Sequence, residues 1–222
     1  MALSRLLRAA CAAACVGLLA ACAAPPRPSY DYAAFKASQP KSILVLPPVN
    51  NSPDINATWG VWAQATYPLA ESGYYVLPVT LVAETFKQNG LSNANDIHAV
   101  APAKLQAIFG ADAALYITIT RYGSTYTVFD SATVVAANAK LVDLKTGQLL
   151  WAGAASASNA ENNNNGGGGL VGVLITAVVK QIINSVSDAS YPVAGVASQR
   201  LLFAGRPAGL LYGPRSPKYG SD

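Results

Sequence analysis

The stretch AALYITITRY, Ala113 to Tyr122, decides the fold. Leu115, Ile117 and Ile119 fall on one face and Tyr116, Thr118 and Thr120 on the other, the period-two alternation of a β-strand. Thr125 to Phe129 continues it. Downstream, Thr133 to Leu144 and Gln148 to Ala155 predict a hairpin around Asp143-Leu144-Lys145-Thr146-Gly147. Gly147 can take the left-handed conformation that a bulged hairpin loop needs.

Upstream the pattern is β-α-β-α-α. SILVLP, Ser42 to Pro47, is a continuous apolar run, which predicts a strand buried on both faces and ended by Pro47 and Pro48. Asn50 to Asn56 reads as a polar loop. Ala57 to Ser72 predicts a helix carrying Trp59, Trp62, Leu69 and Ala70, stopped by Gly73 and kinked or shifted by Pro68. Tyr74 to Leu77 predicts a short aromatic strand. Thr80 is placed to cap a helix over Leu81 to Asn89, with Gly90 as terminator. Pro102 suits the first turn of another helix, whose Leu105, Ile108 and Phe109 stand at i, i+3 and i+4 before Gly110. This order predicts an α/β fold, a mixed β-sheet packed by helices.

Beyond the hairpin, residues 162–169 are four Asn and then four Gly, which predicts a flexible loop. Leu170 to Val186 predicts a core helix, with Val171, Leu174, Ile175, Val178, Ile182 and Val186 on its apolar face. Its apolar run is too short to span a bilayer. Residues 206–222, rich in Gly and Pro and bearing Arg206, Arg215 and Lys218, predict a solvated basic tail.

Residues 1–21 read as a secretory signal, with Arg5 and Arg8 before an Ala/Leu-rich apolar core. The signal ends Leu19-Ala20-Ala21-Cys22, a tetrapeptide that resembles the lipobox of bacterial lipoproteins. In that class the Cys becomes the first mature residue and carries acyl chains. Each buried CH₂ supplies about 0.8 kcal/mol of membrane affinity. Ala23 in place of Asp implies, by likeness to that class, sorting to the outer membrane. Residues 22–40 then predict a Pro-rich tether carrying lipidated Cys22, and residues 41–205 a single α/β domain.

Of the 222 residues, 52% are hydrophobic and 12% charged, and mean hydropathy is +0.28, a composition that can fill a core and excludes a disordered chain. Removing the signal takes away two Arg and no acid, so the formal charge falls from +4 to +2. That balance gives no reason to expect a nucleic-acid partner. Cys11 and Cys15 leave with the signal. With Cys22 lipidated, the body holds no thiol for a disulfide, a zinc site or nucleophilic catalysis.

Four strings together carry a resemblance. They are SILVLPP (Ser42 to Pro48), YPLAESGYYV (Tyr67 to Val76), FGADAALYI (Phe109 to Ile117) and LVDLKTGQLLW (Leu141 to Trp151). From about Ser42 to Arg215 the chain resembles a bacterial lipoprotein family of unknown function that includes a genome-derived neisserial vaccine antigen. More distantly, the layout is similar to the curli-secretion lipoprotein CsgG, to the TolB amino-terminal domain and to the penicillin-binding-protein activator LpoB. The resemblance implies an α/β sandwich and an envelope address. It brings no active site to carry over. The Asn/Gly tract is where this chain is expected to differ from its relatives.

The chemistry-bearing residues are sparse. His98, the sole His, sits in Asp96-Ile97-His98-Ala99, which matches no nucleophile elbow, zinc pair or metalloprotease helix. A surface or capping role is expected for it. The acids are scattered, without the spacing of a glycosidase pair. Gly167, Gly169 and Gly172 fit G-x-G-x-x-G, but an Asn tract precedes them where a strand should, so a loop is expected rather than a dinucleotide site. Asp54 and Asn56 resemble half a calcium loop without its terminal Glu, and helix capping is expected there. Neither cofactor nor metal is expected.

The expectation is a non-enzymatic lipoprotein of the outer membrane, anchored through Cys22. Its α/β domain would face the periplasm and engage envelope proteins, as an accessory of a transport, secretion or assembly complex. The alternatives are a CsgG-type pore subunit and an LpoB-like regulator of cell-wall synthesis, with an undetected hydrolase third. Trp59, Trp62, Tyr74 and Tyr75 are the candidate contact aromatics, weighed against core packing. A homodimer or higher oligomer is expected from the apolar composition.

Overall fold

The computed structural model describes residues 30–126, 131–161 and 189–222. Residues 31–222 form one packed unit. In chain order its elements are α1 (Ala33–Ser38), β1 (Ser42–Val45), β2 (Val49–Asn50), α2 (Ala57–Glu71), β3 (Tyr75–Val76), α3 (Val79–Gln88), α4 (Ala94–His98) and α5 (Pro102–Phe109). Then follow β4 (Ala113–Tyr126), β5 (Ser131–Asp143), β6 (Leu149–Ser158) and α6 (Ser190–Leu202).

The strands form one mixed sheet in the order β3-β1-β4-β5-β6. β3, β1 and β4 run parallel, while β4, β5 and β6 are antiparallel neighbours. β1 is short because Pro47 and Pro48 have no N–H to give the ladder. The sequence places the end of strand pairing there. Instead the edge resumes at once as β2, with Val49 opposite Thr118 and Asn50 opposite Ile119 of β4. Ile43, Leu44, Val45 and Leu46 are fully buried, as a run covered on both faces requires.

The predicted alternation holds along β4 to Ile119. A bulge then shifts the register, so that Arg121 faces Ala136 and Tyr122 faces Val135. The extra residue, Thr120, turns its hydroxyl to the Ala136 carbonyl at 3.1 Å. Tyr122 thereby lands on the same face as Ile119, the reverse of simple alternation. That face is covered by α2, which sets Gly60 against the Tyr122 ring, and by α6, which packs beside α2 and across β5 and β6. On the other face, His98 of α4 stands edge-on to Tyr116 with ring centroids 5.2 Å apart. Asn138, Lys140, Ala152 and Ala154 leave that face open to solvent at β5 and β6. The hairpin turn closes as predicted, with Gly147 at φ +73°.

Helix ends follow local chemistry with two departures. Pro102 opens α5 and Gly110, left-handed, closes it. Pro68 is accommodated inside α2, one turn from its end. The helix assigned to Leu81–Asn89 begins two residues earlier, flanked by Pro78, so Thr80 lies inside α3 and does not cap it. α4 is only five residues long and is capped by Asn93, whose Oδ1 accepts from Asn95 N at 2.8 Å, while α6 has no side-chain cap. The helix read over Leu170 to Val186 and the 162–169 tract lie outside the described residues.

Both domain boundaries move outward. The tether reading of residues 22–40 gives way at α1, where Phe35 is buried and the Tyr32 hydroxyl donates to Gly209 O. The solvated-tail reading of residues 206–222 is corrected too. Leu210 and Leu211 are buried, Gly213 N donates to Ser72 O at 2.8 Å, and Arg215 N donates to Gly73 O at 3.0 Å. The physical reason is the same at both ends. A few apolar side chains find apolar surface contributed by residues far away in sequence, and the backbone finds partners there. No described helix is long and apolar enough to cross a membrane.

Candidate functional site

An apolar groove of about 670 Å³ lies where α2, α3 and α4 converge beyond the end of β1. Its floor is Pro47, Trp62, Phe86 and Ile97, with Trp62, Phe86 and Ile97 buried. One wall is the start of α2, the other is α3. Ile55, Trp59 and Leu81 rise along these walls at 84%, 62% and 65% exposure. Side chains of this size normally bury most of their area, so three left open around one hollow make it the candidate contact surface.

The local sequence explains the walls. On α3, Val82 and Phe86 stand at i and i+4 and turn into the core. Leu81 is out of phase with that stripe and faces the groove instead. On α2, Trp59 and Trp62 are three residues apart, so their rings meet at 5.7 Å between centroids. Trp62 is 2% exposed and its Nε1–H donates to the Val45 carbonyl at 2.9 Å, pinning α2 to the end of β1. Trp59 is left as the exposed partner of a fixed ring.

Of the four candidate aromatics, the structure brings Trp59 and Trp62 into this groove and puts the other two elsewhere. Tyr74 is 3% exposed and its hydroxyl donates to Leu211 O at 2.6 Å, so it is an internal strut. Tyr75 is 47% exposed on β3, with the Arg215 guanidinium 5.3 Å from its ring centroid. Trp62 and Tyr74 are therefore packed in the core, Trp62 at the base of the groove. Cys22 lies outside the described residues. Ile55 and Leu81 were not singled out from the sequence. An apolar residue off the buried phase of an amphipathic helix is the signal that points to Leu81.

The groove has little polar chemistry. The Thr58 hydroxyl is already given to Pro48 O at 3.2 Å, and Glu84 accepts from Gln88 at 3.1 Å. Among the described residues that line it, only Glu84 and Lys87 are charged, and they are opposite in sign. His98 sits behind the floor, its Nε2–H donating to Pro47 O at 2.9 Å. Burial pushes its pKa down, Lys140 adds to this, and the Pro47 bond opposes both. The capping expected of Asp54 and Asn56 is not made: Asn56 stands at the N-cap of α2 without a side-chain cap bond, and Asp54 accepts from Asn56 N at 2.8 Å in the turn before the helix. Among the described residues no group of three or more His, Cys, Asp or Glu is placed to hold a metal ion.

Residues 30–215 match the family model described as "Putative lipoprotein GNA1162-like". The chain belongs to the GNA1162-like lipoprotein family. A relative of the same description, NMB1124/NMB1162 from Neisseria meningitidis serogroup B, is 54% identical over 202 residues, covering 91% of this chain and 93% of the relative. The crystal structure of lipoprotein GNA1162 from Neisseria meningitidis superposes with a TM-score of 0.54 at 57% identity, over 66% of this chain and 100% of that one. The LpoB C-terminal domain from Salmonella enterica is a distant neighbour, with a TM-score of 0.38 at 19% identity over 52% of this chain and 81% of that one. The resemblance read from Ser42 to Arg215 is thus the family relationship, and the mixed sheet packed by helices is the fold it implied. Membership of a lipoprotein family supports anchoring at a membrane.

Proposed function

We propose that the chain is a non-enzymatic envelope lipoprotein, acylated at Cys22 and held at the outer membrane. Its periplasmic domain presents the α2–α3–α4 groove to a protein partner. The observation that carries this reading is the concentration of Ile55, Trp59 and Leu81, all exposed, around one apolar hollow. Its role in the envelope is that of an accessory to a transport, secretion or assembly complex. The lipobox and the placement of Cys22 support the anchor.

The reading is tested in cells of the source bacterium. Labelled palmitate should enter the wild-type protein and not Cys22→Ser, and density fractionation should place the protein with outer-membrane markers. A chemical crosslinker applied to intact cells should recover the same envelope protein repeatedly, and Trp59→Ser should abolish its recovery. Labelling that survives Cys22→Ser removes the anchor assignment. Closed rings on light scattering of the detergent-purified protein, together with ion conductance in planar bilayers, would favour a CsgG-type pore subunit instead.

A further inference from the structure

We infer that the groove receives one amphipathic α-helix of a partner protein, a conclusion that rests on the interaction reading above and narrows it. Both walls are helices, whose backbone groups are spent on their own i→i−4 bonds. An extended peptide laid there would leave its own N–H and C=O groups facing apolar side chains without partners. A helix satisfies its backbone internally and needs only an apolar face, offered at i, i+3, i+4 and i+7.

Area separates the helix from a second copy of this chain. The large side chains exposed here are three, Ile55, Trp59 and Leu81, which make a patch of roughly a few hundred Å², the scale of functional patches on monomers. A stable interface between two globular surfaces needs about 800 Å² from each partner. A single helix seated between two walls contacts both and needs no flat surface around them. Charge narrows the occupant further. With Glu84 opposed by Lys87 and the other lining residues uncharged, the groove favours neither sign, so the seated face is uncharged and binding varies little with salt. The chain's own described helices leave the groove free. α6 lies on the opposite flank of α2, beside Gln64 and with Phe203 against Tyr67.

The test places a photoreactive phenylalanine analogue at Leu81, and separately at Ile55, of the full-length lipoprotein in cells, and maps the adducts by mass spectrometry. Adducts should fall three and four residues apart within one segment of one other protein. A synthetic peptide copying that segment should bind the detergent-purified lipoprotein. A central Pro in the peptide should weaken binding about tenfold or more. Trp59→Ser should do the same, as loss of an interface anchor does. Raising NaCl from about 0.05 to 0.5 M should change affinity less than about twofold. If Trp59→Ser fails to fold, Leu81→Ser carries the same prediction. Adducts at alternate residues, or on a broad surface of another protein, overturn the helix and leave the interaction reading standing. Adducts confined to lipid, to residues 170–186 of the same chain or to a second copy, or no adduct at all, overturn both.

Discussion

The Tyr74 hydroxyl donates to the Leu211 carbonyl at 2.6 Å, joining residues 137 positions apart inside the core. The bond anchors the C-terminal segment to the loop between α2 and β3. The Ser72 hydroxyl extends the same lock, donating to Pro68 O at 2.6 Å and accepting from Ala204 N at 2.9 Å. Burial, with Asp222 and Tyr219 adding to it, raises the Tyr74 pKa far above its ordinary value, so the phenol keeps its proton through the alkaline range.

Tyr74→Phe should therefore lower stability by about 1–3 kcal/mol, because the Leu211 carbonyl is left buried without its donor. Urea denaturation followed by circular dichroism measures it. A change within about 0.5 kcal/mol would mean the tail contributes nothing at this point.

Gly73→Ala should be more damaging. Gly73 has φ +96°, and an added Cβ would crowd backbone atoms of Gly213 and Ser216 inside 3.0 Å. Gly90→Ala is the control, with φ +77° but open space around its Cβ. The control should cost about 1–2 kcal/mol from backbone strain alone, and Gly73→Ala clearly more. Equal losses in thermal unfolding would show that the tail does not press on Gly73.

The two tryptophans of α2 should separate cleanly. Trp62→Ala should cost about 3–5 kcal/mol as a buried aromatic truncation. Trp59→Ala should change stability by about 0.5 kcal/mol or less, since Trp59 is exposed. Comparable losses for both would mean that Trp59 is a core residue and would take away the exposed face of the groove.

Acid stability should depend on Asp143. Burial works to raise its pKa, but hydrogen bonds from the Ser38 hydroxyl, from the Thr146 backbone and hydroxyl, and from Lys145 N outweigh it and hold the pKa below the usual value. A depressed carboxyl pKa contributes stability that is present above the unfolded value, about 4, and is lost as pH falls through the folded value. Asp143→Asn should therefore lower stability at pH 7 and flatten its decline below about pH 4. An unchanged acid limb would show that the hydrogen bonds do not favour the charged form.

His98 acts on a higher window with the same sign. Its folded pKa lies below the unfolded value of about 6.5, so the unfolded chain binds the extra proton first. Stability contributed by neutral His98 is present above about pH 6.5 and is lost as pH falls. His98→Gln should remove that slope between about pH 5 and 7, read from unfolding midpoints across buffers.

Much of the fold was legible because its signals are local. Alternation in β4, the Gly147 turn, Pro102 at the start of α5 and Gly110 at its end each depend on residues within a few positions. The family strings added the sandwich. The site was legible only in part. Trp59 and Trp62 could be picked as aromatics, but nothing near them says which one is buried. That follows from Val45, whose carbonyl receives the Trp62 indole from 17 positions away. α6 was missed because small residues, Ala194, Gly195, Ala197 and Ser198, separate Val193 from Leu201 and Leu202 along its buried side and break up the stripe of large ones.

The amino-acid sequence by itself determined the strand faces up to Ile119, the ends of α2 and α5, and the family, since each is written in neighbouring residues. Only the tertiary structure decided which face takes Tyr122, how far the domain extends at either end, and which apolar side chains stay uncovered. Burial and register are set by surfaces brought together across the chain. Whether Phe35, Leu211 or Leu81 finds a cover depends on what packs beside it, which its own segment does not specify.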